Sequence, residues 1–330
     1  MRHARVEVLR GERIESLHRV RFAISGPNAE DALDDGPPVL LRSAAKPFQA
    51  AAVVRSGALD RLGVGDETLA IVAASHSGEA RHVSLVAALL SRLGLDESTL
   101  RCGIHPPFHE PTAARLGDRL SQLHHNCSGK HAGMLAAAAA LGVSPASYLD
   151  TDGAVQQLMR RTVAAACGVA IERVEVAIDG CGAATFAVPL ASAARAFALL
   201  ASPSEAPAEL REPLERVARA MRAHPHLVGG TSRFDTRLME ASRGRLIAKG
   251  GAEGVQAVAD CERGLGMCLK VCDGAARAVG PAALEALRDA GMIAQPVLLA
   301  LEDLCRPVLQ NYAGAAVGRI AAWIEPGPTV

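Results

Sequence analysis

The chain has 330 residues, with 35 Lys plus Arg against 35 Asp plus Glu and a formal net charge of zero. Balanced charge without a like-sign block excludes the electrostatic pull that brings proteins to nucleic acid or anionic membrane, so a small-molecule partner is expected. The length is enough to bury a sizeable core, in one large domain or two ordinary ones, without covalent staples.

The N-terminal "MRHARVEVLRGERIES" has no apolar h-region, and the Ala-rich segment Ala132 to Val143 is too short to span a bilayer, so a cytoplasmic protein is expected. "VEVLRGERIESLHRVRFAISG" alternates on either side of "RGER" and predicts a hairpin. A Pro/Asp/Gly loop is expected over Asp34 to Pro38, and "VLLRSAAKPFQAAAVVRSGAL" passes from strand to helix near Ser43. The apolar run of "DETLAIVAASHSGEARHVSLVAALLSRLGL" breaks at "SHSGE" before a second helix, and "HPPFHEP" is a loop. "NCSGKHAGMLAAAAALGV" enters an Ala-rich helix, and "GAVQQLMRRTVAAACGV" is an amphipathic one.

After about residue 170 the pattern turns mixed. The strand "VEVAI" runs into the loop "DGCGAAT", helices follow around 188–223, and then the loop "HPHLVGGTSRFD". Strands are expected at "RLIAKGGAEG", "LGMCLKVCDG" and "AVGRIAAWIE", with helices near 281–290 and 293–305. Strands at both ends around a helical middle, about 45–170, predict an α+β fold whose sheet is assembled from the N- and C-terminal parts.

Four polar motifs, three of them Gly-bearing, fall at element boundaries: "RSAAKP", "ASHSGE", "NCSGKH" and "AKGGAEG". Buried segments have no need of that composition, whereas loops that approach a ligand use glycine to bring backbone close. Ser43 and Lys46, three residues apart at a helix start, put a hydroxyl and an amine on one helical face, where the amine can take the hydroxyl's proton. Lysine can serve as that base only with its pKa well below about 10.4, which burial and a second nearby ammonium both promote. Taken singly, Ser43 also reads as a helix cap beside a solvated Lys46, and Ser75 and Ser77 as loop serines bonded to local backbone. The eight cysteines, spread without a CxxC, read as reduced and mostly buried thiols. His105, His109, His224 and His226 read as surface-loop residues.

Ser43-x-x-Lys46, Ser75 in "ASHSGE" and Lys249-Gly250-Gly251 echo the S-x-x-K, S-x-N and K-T-G set of serine β-lactamases and penicillin-binding proteins, although "SHS" lacks the Asn and "KGG" the hydroxyl. In "RSAAKPFQA", "ASHSGE", "NCSGKHAGML", "DGCGAATFAVPL" and "AKGGAEGV" the chain more closely resembles the L-asparaginase II family of rhizobial type, from about residue 5 to its end. The resemblance implies one domain over 1–330 with a serine β-lactamase-like fold, a homodimer, and hydrolysis of L-asparagine to aspartate and ammonia. It further implies two serine-lysine pairs, Ser43 with Lys46 and Ser75 with Lys249, and a zinc ion held by Cys127, Lys130 and Cys181. Arg42, His131 and Asp179 would surround the substrate. Two other readings stand beside it: a serine amidase of β-lactamase type acting on glutamine, a peptide or a β-lactam, and a non-catalytic amino-acid sensor. A sensor has little use for both lysines.

Overall fold

The computed structural model describes residues 1–26 and 37–326, so residues 34–36 of the loop expected over Asp34 to Pro38 lie outside the described residues. Its main sheet has seven antiparallel strands in the order β6-β7-β8-β2-β1-β10-β9. These are β1 (Arg2–Arg10), β2 (Arg13–Ser25), β6 (Leu246–Gly251), β7 (Val255–Asp260), β8 (Leu265–Val271), β9 (Val308–Gln310) and β10 (Ala316–Ile324). A second sheet holds β3 (Val39–Leu40), β5 (Ala184–Val188) and β4 (Glu175–Ile178), in that order. The N-terminal hairpin turns at Gly11, whose φ of +56° suits a two-residue turn, and its strands close at Arg10↔Arg13.

The ends of the chain meet in the middle of the main sheet. β1 pairs with β2 on one side and with β10 on the other, and β2 joins β8, which brings in the β6–β8 meander. Val6, Val8, Val20 and Phe22 are buried in the core that the sheet shares with the helices. Glu7 is buried as well, and its carboxylate is satisfied by Arg5 Nε at 2.8 Å and by Trp323 Nε1 at 3.1 Å. The helix Leu190–Ala201 crosses β8 and β2, and a Cβ on Gly266 would come within 2.1 Å of Ala194 O, so the crossing needs glycine there.

The helical part centres on Lys46–Arg55. Every residue from Lys46 to Val54 is buried, as expected of a helix that is apolar nearly all round. It packs against the helices Ser128–Leu141, Ala154–Cys167 and Ala208–Ala223, where its alanines allow close approach. The expected strands at the two ends and helices over 45–170 are present. The sequence reading missed β5, β7 and β9. Among the described residues no helix is long and apolar enough to cross a membrane.

Candidate active site

β3 delivers the chain to the first motif: Leu41 N–H donates to Phe186 O on β5 at 2.9 Å, and a turn of 3-10 helix, Arg42–Ala45, runs straight into the helix opened by Lys46. Arg42 has φ +49°, a left-handed conformation that a non-glycine residue adopts at a cost. Its guanidinium is tied down by Asp179 Oδ1, at 3.0 Å from Nε and 2.7 Å from Nη2. The end of β6 lies against this turn, since a Cβ on Gly251 would come within 2.5 Å of Leu41 O. Ser43 is thereby set between a strained turn and a strand that only glycine allows so close.

Lys46 runs inward and is 1% exposed. Its Nζ donates to Ala74 O at 2.6 Å, contacts Ser75 Oγ at 2.9 Å and reaches Asn126 O at 3.3 Å. Lys249, on β6 and equally enclosed, contacts the same Ser75 Oγ at 2.9 Å and lies 3.7 Å from Asp235 Oδ2. Ser75 is held in turn by its N–H bond to Val228 O at 2.9 Å. A hydroxyl has one proton to give, so a Ser75 Oγ between two amines is best satisfied when one amine is neutral and accepts while the other is charged and donates.

The electrostatics favour such a split. Burial pulls Lys249 down to about 7, against the carboxylate of Asp235, and the charges of Lys46 and Arg233 push the same way as burial. Lys46 is lowered too, chiefly by burial, but the neighbouring Cys127 thiolate opposes this.

Beneath the Ser75 loop, the rings of His76, His82 and His226 stack at centroid distances of 5.1 and 5.2 Å. Gly78 N–H donates to His76 Nδ1, so His76 Nε2 carries the proton and donates to Ser128 Oγ at 2.9 Å. His82 Nδ1 accepts from Glu79 N–H and its Nε2–H donates to His226 O at 2.9 Å. Both rings are thus held neutral, and burial lowers both pKa values.

Behind the lysines lies a second cluster. Cys127, Lys130 and Cys181 are all buried, Lys130 Nζ reaches Cys181 Sγ at 3.1 Å, and the two thiols share a hydrogen bond. The two sulfurs share one proton: the bond to Cys181 and the nearby ammonium groups pull Cys127 down toward thiolate, while Cys181 is pushed up. Burial would lower Lys130, but the negative charge on the sulfur pair, chiefly at Cys127, outweighs it and holds the amine protonated. Among the described residues no three His, Cys, Asp or Glu are placed to hold a metal, so a set at this point needs the lysine. Two converging sulfurs and an amine suit zinc, whose charge would take over the role of the ammonium proton.

Ser43 and Ser75 line a cavity of about 550 Å³, together with Asn126, Arg233, Asp235 and Gly251. The model of the L-asparaginase II family matches residues 6–322. The chain belongs to that family. None of the curated proteins matches it. Among solved structures it is similar to Mglu in its native form, at 16% identity over 82% of this chain and 56% of that chain, with a TM-score of 0.31. It is also similar to a putative beta-lactamase from Bacteroides dorei, at 12% identity over 82% of this chain and 85% of that one, with a TM-score of 0.35. The chain thus spans little more than half the length of the Mglu chain.

Asparaginase II membership supports an amide hydrolase, and the structure brings Ser43, Lys46, Ser75 and Lys249 to one place. The expected Ser75–Lys249 pair forms, whereas the expected Ser43–Lys46 pair does not. Lys46 turns to Ser75 rather than to Ser43, because the carbonyls of Ala74 and Asn126 offer its buried ammonium the acceptors it needs. Among the described residues Ser43 Oγ has no side-chain hydrogen bond, and Ser43 sits half-buried on the cavity wall.

Of the three residues expected around the substrate, Arg42 and Asp179 bind each other and Arg42 faces a separate cavity beside Lys270. His131 is fully enclosed, with Nδ1 at 2.8 Å from Tyr148 OH and Nε2 unpartnered. His105, His109, His224 and His226 are partly exposed and form no ligand set among the described residues. Sequence reasoning passed over Asp235, which accepts from Gly250 N–H and Gln256 Nε2, both at 2.9 Å, and so anchors β6 beside Lys249. The available signal was an acid at the start of a helix after the glycine-rich "GGTSRFD".

Proposed function

We propose that the chain hydrolyses L-asparagine to L-aspartate and ammonia through a β-aspartyl ester on Ser43. The observation that carries this reading is the bridging of Lys46 and Lys249 by Ser75 Oγ, in contact with both amines, at the wall of a cavity that Ser43 also lines. A nucleophile needs a lone pair open to substrate, and Ser43 has its oxygen uncommitted. Ser75 is 7% exposed and engaged on two sides, which suits a group that hands protons on.

In this reading Ser43 Oγ attacks the side-chain amide carbon as its proton passes to the neutral amine of the Lys46–Ser75–Lys249 chain. The C–N bond then breaks as the same chain returns that proton to the leaving nitrogen, and ammonia departs. Water, deprotonated by the same relay, attacks the ester and frees aspartate and Ser43. Zinc belongs to the proposal, with Cys127, Lys130 and Cys181 as its ligands; when bound it supplies a fixed positive charge beside the pocket. A serine β-lactamase-like fold is also part of it, supported by β6 lying against the helix start that bears Ser43. So are the homodimer, which equilibrium sedimentation would read as twice the chain mass, and the cytoplasm.

Ammonia release by the purified protein tests the reading. Asparagine should be preferred to glutamine, because an added methylene displaces the amide from Ser43; packing alone accounts for about 1–3 kcal/mol of such discrimination. Equal kcat/KM for the two amides would replace asparaginase by a broader serine amidase, and no turnover of either would leave the sensor.

A further inference from the structure

The cavity is far larger than asparagine, within the ~300–1,000 Å³ that accommodates drug-sized ligands. Its wall beyond the serines is apolar, with Val279, Pro281, Leu304 and Ile320, and it includes two arginines, Arg233 and Arg277. Neither has a carboxylate partner among the described residues. Arg233 stacks on Phe108, 4.5 Å from the ring centroid, and is among the charges that act most on Lys249, which puts it at the catalytic end.

The exposed Arg277 is held through a buried histidine ring. Its Nε–H donates to His18 Nε2 at 3.0 Å, which leaves His18 Nδ1 as the protonated nitrogen, donating to Asp273 Oδ2 at 2.6 Å. The ring of His18 is buried although Asp273 and Arg277 are exposed, so Arg277 is held from its buried side. Its two Nη groups have no partner among the described residues, on a side chain that lines the cavity. A guanidinium fixed through Nε with its fork open is built to take a carboxylate in two bonds.

We propose that Arg277, oriented by His18 and Asp273, forms a distal carboxylate subsite in this cavity, so that the protein deamidates asparagine extended at its α-carboxyl, an asparaginyl dipeptide with a free C-terminus. This rests on the amide hydrolysis proposed above. One added residue moves the terminal carboxylate about 3.5 Å outward, and the apolar wall would flank the second side chain.

The test measures ammonia release from L-asparagine and from Asn-Gly, each with wild type, Arg277→Gln and Arg277→Lys. The expected result is turnover of both by wild type, a rise of about tenfold or more in KM for Asn-Gly in Arg277→Gln, partial recovery in Arg277→Lys, and an unchanged KM for asparagine. His18→Gln, which loosens the support without removing the charge, should raise KM for Asn-Gly by a smaller factor and leave kcat alone. Turnover of asparagine without turnover of Asn-Gly overturns the subsite and spares the asparaginase reading. An equal rise in KM for asparagine also overturns it, because Arg277 would then bind the α-carboxylate of asparagine itself. Failure to hydrolyse asparagine with retained hydrolysis of Asn-Gly would instead overturn the asparaginase reading and keep the subsite.

Discussion

Ser75 Oγ is in contact with two buried amines, and the behaviour of each group can be argued from that contact. Ser43→Ala should abolish turnover, while Lys46→Ala and Ser75→Ala should each lower kcat by about 10²–10⁴-fold, the range of a lost general acid or base. In Ser75→Ala, where the ester would be slow to clear, mass spectrometry after incubation with asparagine should find the acyl group on the peptide containing Ser43. An adduct on Ser75 in the wild-type protein would exchange the two roles. The pH profile follows from Lys249, brought down to about 7 by burial. Below that value Lys249 carries a proton and cannot accept one, so kcat/KM should rise with pH through about 7. The Asp235 carboxylate favours the ammonium form, so Asp235→Asn should move this rise to lower pH; a shift upward would contradict the assignment. Among the proposed zinc ligands, Cys181→Ser should lose the metal by elemental analysis and raise KM more than it lowers kcat, since the proposed reaction gives zinc no part in the attack. Bound zinc unchanged in Cys181→Ser would place the metal elsewhere.

At the level of elements, what joins the helical part to the site is close backbone packing. Gly129 lies between Cys127 and Lys130 in the first turn of Ser128–Leu141, and a Cβ there would come within 2.1 Å of Ile71 O, at the end of the helix Asp66–Val72. Gly129→Ala should therefore lower stability by about 1–3 kcal/mol, read as a lower urea midpoint, and displace Lys130 from the sulfurs. An unchanged midpoint would mean that the two helices have slack between them. These elements also show what sequence could reveal. The N-terminal hairpin and β10 were legible because turn residues and partial alternation survive in them. β5 and β7 were not, since "ATFAV" and "VQAVAD" are buried at every position and a strand enclosed on both faces loses its period of two. β9, three residues long, has no room for a pattern. The four polar motifs stood out by composition. The partner of Lys46 did not, because it is set by where the chain after Val72 happens to run, and an acid such as Asp235 after a glycine-rich loop looks like any other helix start.

For the molecule as a whole, acid should be the weak flank. His76 and His82 are held neutral and buried, with pKa values lowered, whereas in the unfolded chain they titrate near 6.5. Below that pH the unfolded state binds protons the folded state refuses, so stability is intact above about 6.5 and falls as pH drops, by up to about 1.4 kcal/mol per pH unit for each ring. Urea midpoints at pH 7.5, 6 and 5 check this, and His76→Gln should flatten the trend; a midpoint constant across that range would show the rings to be chargeable in place. The pairing of β1 with both β2 and β10 has a further consequence, in the order of synthesis. Ala4 is made long before Ile324, the residue on the strand that covers its outer edge. Until then a nascent chain carries the β1–β2 hairpin with one row of peptide groups unsatisfied, the kind of edge that pairs with another strand. Two ribosomes close together on one message would hold two such edges side by side. A strand made early is thus completed late, and the hazard of joining the wrong neighbour belongs to that interval and not to the finished molecule.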